Sequence, residues 1–252
     1  MTPPRPRSAA SGRAGARITF AGATLAERTT VVAELHERHG YDVIDPYDNP
    51  RVVAGQGTAT AELLSQATAQ GVHLDTVVVP IGGGSALAGA CLATTGHRAR
   101  VVGAEPENVP AFTAALRAGE PVTVPAHHTI ADGLRPNRIG HLPFALARAD
   151  TARVLTISEE AITDALQTAL WQARLLIEPA AATALAAALA YARETSPNTD
   201  IGVLLTGGNT DPGTRHPPPH TRPRTTRVVR TTRAVGPAGT ATAAGTAETL
   251  PA

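Results

Sequence analysis

Residues 77–89 carry the densest chemical signal in this chain. Val77, Val78 and Val79 run into Pro80 and Ile81, glycines follow at Gly82, Gly83 and Gly84, and Ser85 opens a run of small residues. β-Branched residues favour a strand, and the small residues with Leu87 favour a helix. Glycines between the two let backbone N–H groups converge on one point without side chains in the way. The N-terminus of the following helix adds four unpaired donors and about half a positive charge. Together these make a seat for a phosphate. The same residues also suit a bare strand-to-helix turn. A third reading is a dinucleotide site, in which Gly82 and Gly84 turn the chain and Glu105, roughly twenty residues on, holds a ribose. Leu87 at the third small position of that fingerprint, and Pro106 directly after Glu105, oppose the dinucleotide.

The elements that must position this loop follow from periodicity and punctuation. Apolar residues at Val31, Val32 and Leu35 predict an amphipathic helix over 25–39, stopped by Gly40. Residues 18–20 and 41–44 read as short strands, and 45–50 as turn chemistry. Thr58, behind Gly55-Gln56-Gly57, reads as the N-cap of a helix ending near 69. A strand over 76–80, a helix over 85–95 and a strand over 99–104 form a β-loop-α-β unit, which demands parallel strands. A helix over 111–117, a loop over 129–140 and a strand over 152–157 come next. Ser158 caps a helix with acids in its first turn, extending to 177, and Pro179 opens an Ala-rich helix to about 194. A buried strand over 201–205 then runs into Thr206-Gly207-Gly208-Asn209, a second glycine turn. The predicted class is α/β, a parallel twisted sheet flanked by helices.

Composition narrows the chemistry. With 252 residues and 42% hydrophobic residues but only 3% aromatic, the core must be built from Ala, Val, Leu and Ile. The formal charge of +1 sets up no global field toward nucleic acid, and no apolar run is long enough for a membrane span. A single cysteine, Cys91, excludes an intrachain disulfide and fits a reducing compartment, so a cytoplasmic location is expected. His127 and His128 lack metal-ligand spacing with other ligands and read as loop, and Trp171 reads as helix packing. All 22 basic residues are arginines, and no lysine side chain is available for a Schiff base.

Six segments in order resemble the threonine dehydratase and serine racemase group of fold type II pyridoxal-phosphate enzymes. Val79-Pro80-Ile81-Gly82-Gly83-Gly84-Ser85 resembles the family's phosphate loop, with Ser85 in place of a fourth glycine. Gly55-Gln56-Gly57-Thr58 resembles the segment ahead of it, Val102-Gly103-Ala104-Glu105-Pro106-Glu107 the strand after it, and Thr129-Ile130-Ala131-Asp132-Gly133 the next landmark. Leu176-Ile177-Glu178-Pro179 and Leu205-Thr206-Gly207-Gly208-Asn209 complete the set. The resemblance implies the large domain of that fold plus a remnant of the small domain. It assigns the phosphate of pyridoxal phosphate to Gly82, Gly83, Gly84 and Ser85, the pyridine nitrogen to Thr206, the ring's flank to Gly133 and its edge to Glu178. It also implies a weak divalent-cation site at Glu105, weak because the second acid of the pattern is Ala111 here.

The activity implied is removal of ammonia from a small amino acid, L-threonine or L-serine, giving a 2-keto acid. The family's lysine segment and its carboxylate-binding Asn-His loop have no counterpart, so no catalytic residue is assigned. The resulting expectation is an incomplete or inactive form: a lead-in over 1–17, a small-domain remnant over 18–50, a cofactor-binding domain over 51–212 and a low-complexity, disordered tail over 213–252. A missing N-terminal half on a separate polypeptide, or a non-catalytic phosphate-binding protein, would account for the same residues. A homo-oligomer is expected from the family, with neither nucleic acid nor membrane as partner.

Overall fold

The computed structural model describes residues 11–22, 25–125 and 127–210. The expected low-complexity tail lies outside the described residues, as do the first ten residues of the lead-in. In chain order the elements are α1 (Leu25–His39), α2 (Pro50–Ala69), β1 (Thr76–Pro80), α3 (Ser85–Ala93), β2 (Arg100–Pro106) and α4 (Ala111–Ala118). A 3-10 turn (Asp132–Leu134), α5 (His141–Ala147), β3 (Thr151–Ile157), α6 (Glu159–Trp171), α7 (Pro179–Glu194) and β4 (Ile201–Val203) follow. The four strands form one parallel sheet in the order β3-β2-β1-β4, the α/β class expected.

Strand β1 is buried along its whole length, so its two faces need two separate cores. Val77, Val79 and Ile81 point into a cluster with Val53, Leu63 and Leu64 of α2, Leu87 of α3 and Phe112 of α4. Val78 falls in the other cluster, with Val102, Ala104, Ile162 of α6 and the alanines of α7. The period of two along the strand thus sorts its valines between layers. In α7 the buried residues are Ala180, Ala181, Ala182, Thr183, Ala184, Ala186, Ala187 and Ala188. Their small side chains let the helix lie close to the sheet at little entropic cost. The scarcity of aromatics leaves one edge-on pair in the first core, Phe112 and Phe144, with centroids 6.1 Å apart. Cys91 is a core residue whose thiol burial pushes up to about 11. Among the described residues no helix is long and apolar enough to cross a membrane.

Four expectations are corrected. The segment Gly55-Gln56-Gly57 is not a loop: α2 begins at Pro50, and Asn49 rather than Thr58 is its cap. Asn49 Oδ1 accepts from the N–H of Arg51 at 2.9 Å and of Val52 at 3.4 Å, with proline at the first helical position. Inside this helix Gly57 serves packing, since a Cβ there would lie 2.8 Å from the carbonyl oxygen of Gly89 in α3, and one on Gly89 would run into the backbone of Gly57. The α6 helix stops at Trp171 instead of continuing to 177, because Arg174 adopts a left-handed φ of 53° that a right-handed helix cannot contain. Trp171 itself is exposed rather than packed. Residues 18–20 and 41–44 are extended, yet no ladder partner exists for them among the described residues, and Phe20 and Ile44 face solvent. Helix α5 occupies residues 141–147, a stretch for which the sequence predicted no element.

The amino ends of three strands are tied by Asp75. Its backbone N–H donates to the Asp200 carbonyl at 2.8 Å, its carbonyl accepts from Arg100 N at 2.9 Å, and its carboxylate accepts from Asp200 N at 3.0 Å while pairing with Arg98. The N–H of Asp200, followed by Arg98, holds the carboxyl below its ordinary value of 3.8.

Two outcomes follow from these contacts. Gly89→Ala gains up to about 1 kcal/mol of helix propensity but must push the α2 and α3 backbones apart, which costs about 1–3 kcal/mol or more. Net destabilisation in urea unfolding is expected. Because the folded pKa of Asp75 is depressed, its contribution to stability is full above the unfolded value and fades as pH falls through the lower folded one. Asp75→Asn should therefore be less stable than wild type at neutral pH, and the gap should close in acid unfolding midpoints below roughly pH 4.

Candidate functional site

The chain leaves β1 at Pro80 and enters α3 five residues later, with Gly84 as the N-cap at φ 97°. Only glycine adopts that angle without strain. Among the described residues no side chain caps α3, which leaves the first-turn N–H groups and the positive helix end open to a ligand or solvent. The loop's underside is fixed by backbone and aliphatic groups. Gly140 N donates to Gly83 O at 3.1 Å, and a Cβ on Gly84 would collide with Ile139 and Pro143. A Cβ on Gly82 would lie 2.9 Å from the carbonyl oxygen of Gly133, which brings the predicted Gly133 against the predicted loop. Gly82, Gly83, Gly84, Ser85 and Gly133 thus form one cluster.

Thr206 and Glu178 form a second. Beyond β4 the chain stays beside β1, with Leu204 N donating to Val78 O at 3.0 Å. Glu178, the residue before α7, donates its N–H to Gly207 O at 3.2 Å, and its carboxylate packs so closely that a Cβ on Gly207 would sit 2.6 Å from it. Glu178 and Thr206 are both half-buried. The two clusters lie at the carboxyl ends of neighbouring strands. The chain steps from β1 to β2 to β3 in one direction, whereas β4 lies on the other side of β1. Open parallel sheets bind ligands at such a reversal, in the crevice beyond the strand ends.

Sequence reasoning missed the side chains that hold these loops. Glu159, read as a helix-end acid, reaches back to accept from Ile130 N at 2.8 Å. Thr129 Oγ1 takes Ala131 N at 3.1 Å, and Arg135 donates to Thr129 O at 3.1 Å, which builds the approach to Gly133. Asp48, read as a turn residue, caps α5 by accepting from His141 N at 3.0 Å and Leu142 N at 2.9 Å. A Cβ on Gly83 would overlap the ring of Tyr47. The longer-range pairings have no local signature, because their partners lie tens of residues apart.

Glu105 stands away from both clusters in its chemistry. It is 1% exposed, its Oε2 accepts from Phe112 N and its Oε1 from Thr113 N, each at 2.9 Å. The carboxylate therefore caps α4. Burial pushes its pKa up, and the bonds from Thr113 and Phe112 with the nearby Arg117 pull it partly back. With both oxygens engaged and Ala111 where a second carboxylate is needed, these residues do not fit a hard cation, which takes six or more oxygen ligands. Among the described residues no group of three or more His, Cys, Asp and Glu side chains is placed to hold a metal. The same engagement leaves Glu105 unable to present itself to a ribose, as the dinucleotide alternative requires. His127 and His128 are exposed.

The uncapped α3 terminus and the glycine cradle, which admits no Cβ, suit a phosphate. Thr206 and Glu178 lie after β4, the strand beside β1. Comparison with known proteins agrees. The family described as pyridoxal-phosphate dependent enzyme matches residues 3–207. Serine racemase of Arabidopsis thaliana is 32% identical over 207 residues, 80% of this chain and 61% of that protein. The biosynthetic L-threonine dehydratase of Mycobacterium leprae is 38% identical over 179 residues, 69% of this chain and 41% of the relative. Among solved structures, a threonine deaminase from T.th. superimposes with a TM-score of 0.77 at 36% identity, covering 83% of this chain and 68% of that one. Maize serine racemase gives 0.77 at 31%, covering 84% and 64%. The chain spans about 61% to 63% of the length of the first curated relatives it matches. A profile that matches most of the sequence, on a sheet shared with solved relatives, establishes that this chain belongs to the pyridoxal-phosphate dependent enzyme family.

Proposed function

We propose that the crevice beyond β1 and β4 holds pyridoxal phosphate and serves the removal of ammonia from a β-hydroxy amino acid of the L-threonine or L-serine kind. The observation that carries this reading is the placement, on adjacent strands, of an uncapped helix N-terminus after β1 and of Thr206 with Glu178 after β4. The N–H groups of Gly82, Gly83, Gly84 and Ser85 hold the phosphate. Gly133 flanks the ring, Glu178 lines its edge, and Thr206 turns its hydroxyl to the ring nitrogen. A neutral hydroxyl there does not favour protonation of that nitrogen as a carboxylate would. The cofactor, when bound, supplies an electron sink for charge developing at the amino acid's α-carbon. The names of the relatives, serine racemase and threonine dehydratase, support hydroxy amino acids as the substrate class.

Turnover in such chemistry needs a primary amine to take up the cofactor's aldehyde and to move the α-proton. This chain has no lysine, and a guanidinium is not a usable nucleophile. We place that amine on polypeptide outside these 252 residues, so that the chain alone binds cofactor without turning over.

Titration with pyridoxal phosphate should show saturable absorbance changes and thermal stabilisation, about 2.7 kcal/mol at a hundredfold excess over Kd, with none from NAD. No ammonia should be released from L-threonine or L-serine. Borohydride should leave no covalent cofactor except at the N-terminal amine; an adduct on any other residue, or release of ammonia, sinks the non-catalytic reading. Failure to saturate sinks the cofactor site itself.

Divalent cations make a separate test. Millimolar Mg²⁺ or Ca²⁺ should leave the unfolding midpoint unchanged, whereas Glu105→Gln, which loses a charged acceptor for two helix N–H groups, should cost about 1–3 kcal/mol. A cation-dependent rise in the wild-type midpoint that Glu105→Gln abolishes would restore the metal site.

A further inference from the structure

One wall of the glycine cradle is unlike the others. Gly83 and Gly84 are buried, and Gly82 and Gly84 are bordered by backbone or aliphatic groups, namely Gly133, Ile139 and Pro143. Against Gly83 lies the ring of Tyr47, which occupies the space that any side chain at 83 would need. A flat ring against a peptide restrains the tilt of that peptide, and the tilt of peptides in a phosphate loop decides where their N–H groups point.

Tyr47 is unusually well fixed for a residue in a turn. Asp45 Oδ1 accepts from its N–H at 2.9 Å and from Asp48 N at 2.6 Å, closing the turn on itself. The next two residues bind helix ends: Asp48 caps α5, and Asn49 caps α2. Burial and the neighbouring Asp45 raise the pKa of the phenol, and Arg28 of α1 pulls it partly back. Both carboxylates beside the ring are committed, that of Asp45 to backbone N–H groups within the turn and that of Asp48 to the start of α5. These bonds fix where the two carboxylates lie beside the ring.

We propose that Tyr47 is a positioning residue for the phosphate seat, holding the Gly83 peptide so that the chain prefers phosphorylated over unphosphorylated pyridoxal. This inference rests on the cofactor reading above and names the side chain that shapes its phosphate end. The hydroxyl serves the Arg28 contact, and the flat ring serves the loop. Tyr47→Phe keeps the preference and Tyr47→Ala loses it.

The test measures Kd for pyridoxal phosphate and for pyridoxal, by absorbance titration, in the wild-type chain and in Tyr47→Phe and Tyr47→Ala. The wild-type chain and Tyr47→Phe should both favour the phosphorylated form. Tyr47→Ala should bind pyridoxal phosphate about tenfold more weakly, a loss of about 1.4 kcal/mol, while its affinity for pyridoxal stays within about twofold. A merely structural role would weaken both ligands together, and that outcome overturns the proposal. Tighter binding of pyridoxal phosphate by Tyr47→Ala would show that the ring blocks the seat and overturns it equally. Tyr47→Leu, which keeps bulk over Gly83 without a flat ring, is the second variant if alanine impairs folding, and it should lose the same preference. If the wild-type chain shows no preference for the phosphate, the cofactor reading falls with the proposal. A preference kept by Tyr47→Ala or Tyr47→Leu removes only the role of Tyr47.

Discussion

Helices α2 and α3 touch backbone to backbone at Gly57 and Gly89, and much of the remaining architecture is a consequence of that approach. The α3 helix carries the uncapped N-terminus, and α2 begins at the turn that holds Tyr47 and Asp48. Because the helices meet without intervening side chains, the turn before one and the loop before the other are brought to the same place. Any Cβ at the crossing would force the two ends apart. The contact is also why α3 can be short: nine residues would be marginal alone, and tertiary packing supplies what helix propensity does not.

The proposed site is assembled from groups that are individually weak. Glycine peptides, a helix end, one hydroxyl and one carboxylate each contribute modestly, and their effect depends on being held before a ligand arrives. That holding falls to side chains with no share in the proposed chemistry. Glu159 restrains the approach to Gly133, Asp48 fixes the start of α5 beneath Gly84, and Glu105 binds the end of β2 to α4. Three carboxylates thus perform a task that in other proteins falls to longer loops or metal ions, each by accepting backbone N–H groups that would otherwise be unsatisfied.

Much of this arrangement was legible from local pattern. The valine run, the glycines and Ser85 announced β1, its loop and α3, and Ser158 and Pro179 announced α6 and α7, because strand propensity, caps and proline act within a few residues. Thr206, Glu178 and Gly133 were found through resemblance, and the structure places them where neighbouring strands end. The failures share one cause. Gly55 and Gly57 look like loop residues in isolation, and only the distant Gly89 explains a glycine at 57 inside a helix. Asp48 and its partner His141 are 93 residues apart, a spacing that leaves no local trace. Residues 18–20 and 41–44 have strand-like composition, but a strand exists only when something pairs with it.

The alanine face of α7 has a mechanical meaning as well as a packing one. A helix that meets its sheet through methyl groups presents shallow ridges, so few large side chains in that contact set its position along the helix axis. Larger side chains would lock the register tooth by tooth, as leucines do in deeper interfaces. Here the lock sits at the end of the helix, where Glu178 N is bound to Gly207 O at 3.2 Å and the Glu178 side chain fills the space over that glycine. Glu178 thus ties the start of α7 to the turn after β4, and whatever fixes one fixes the other.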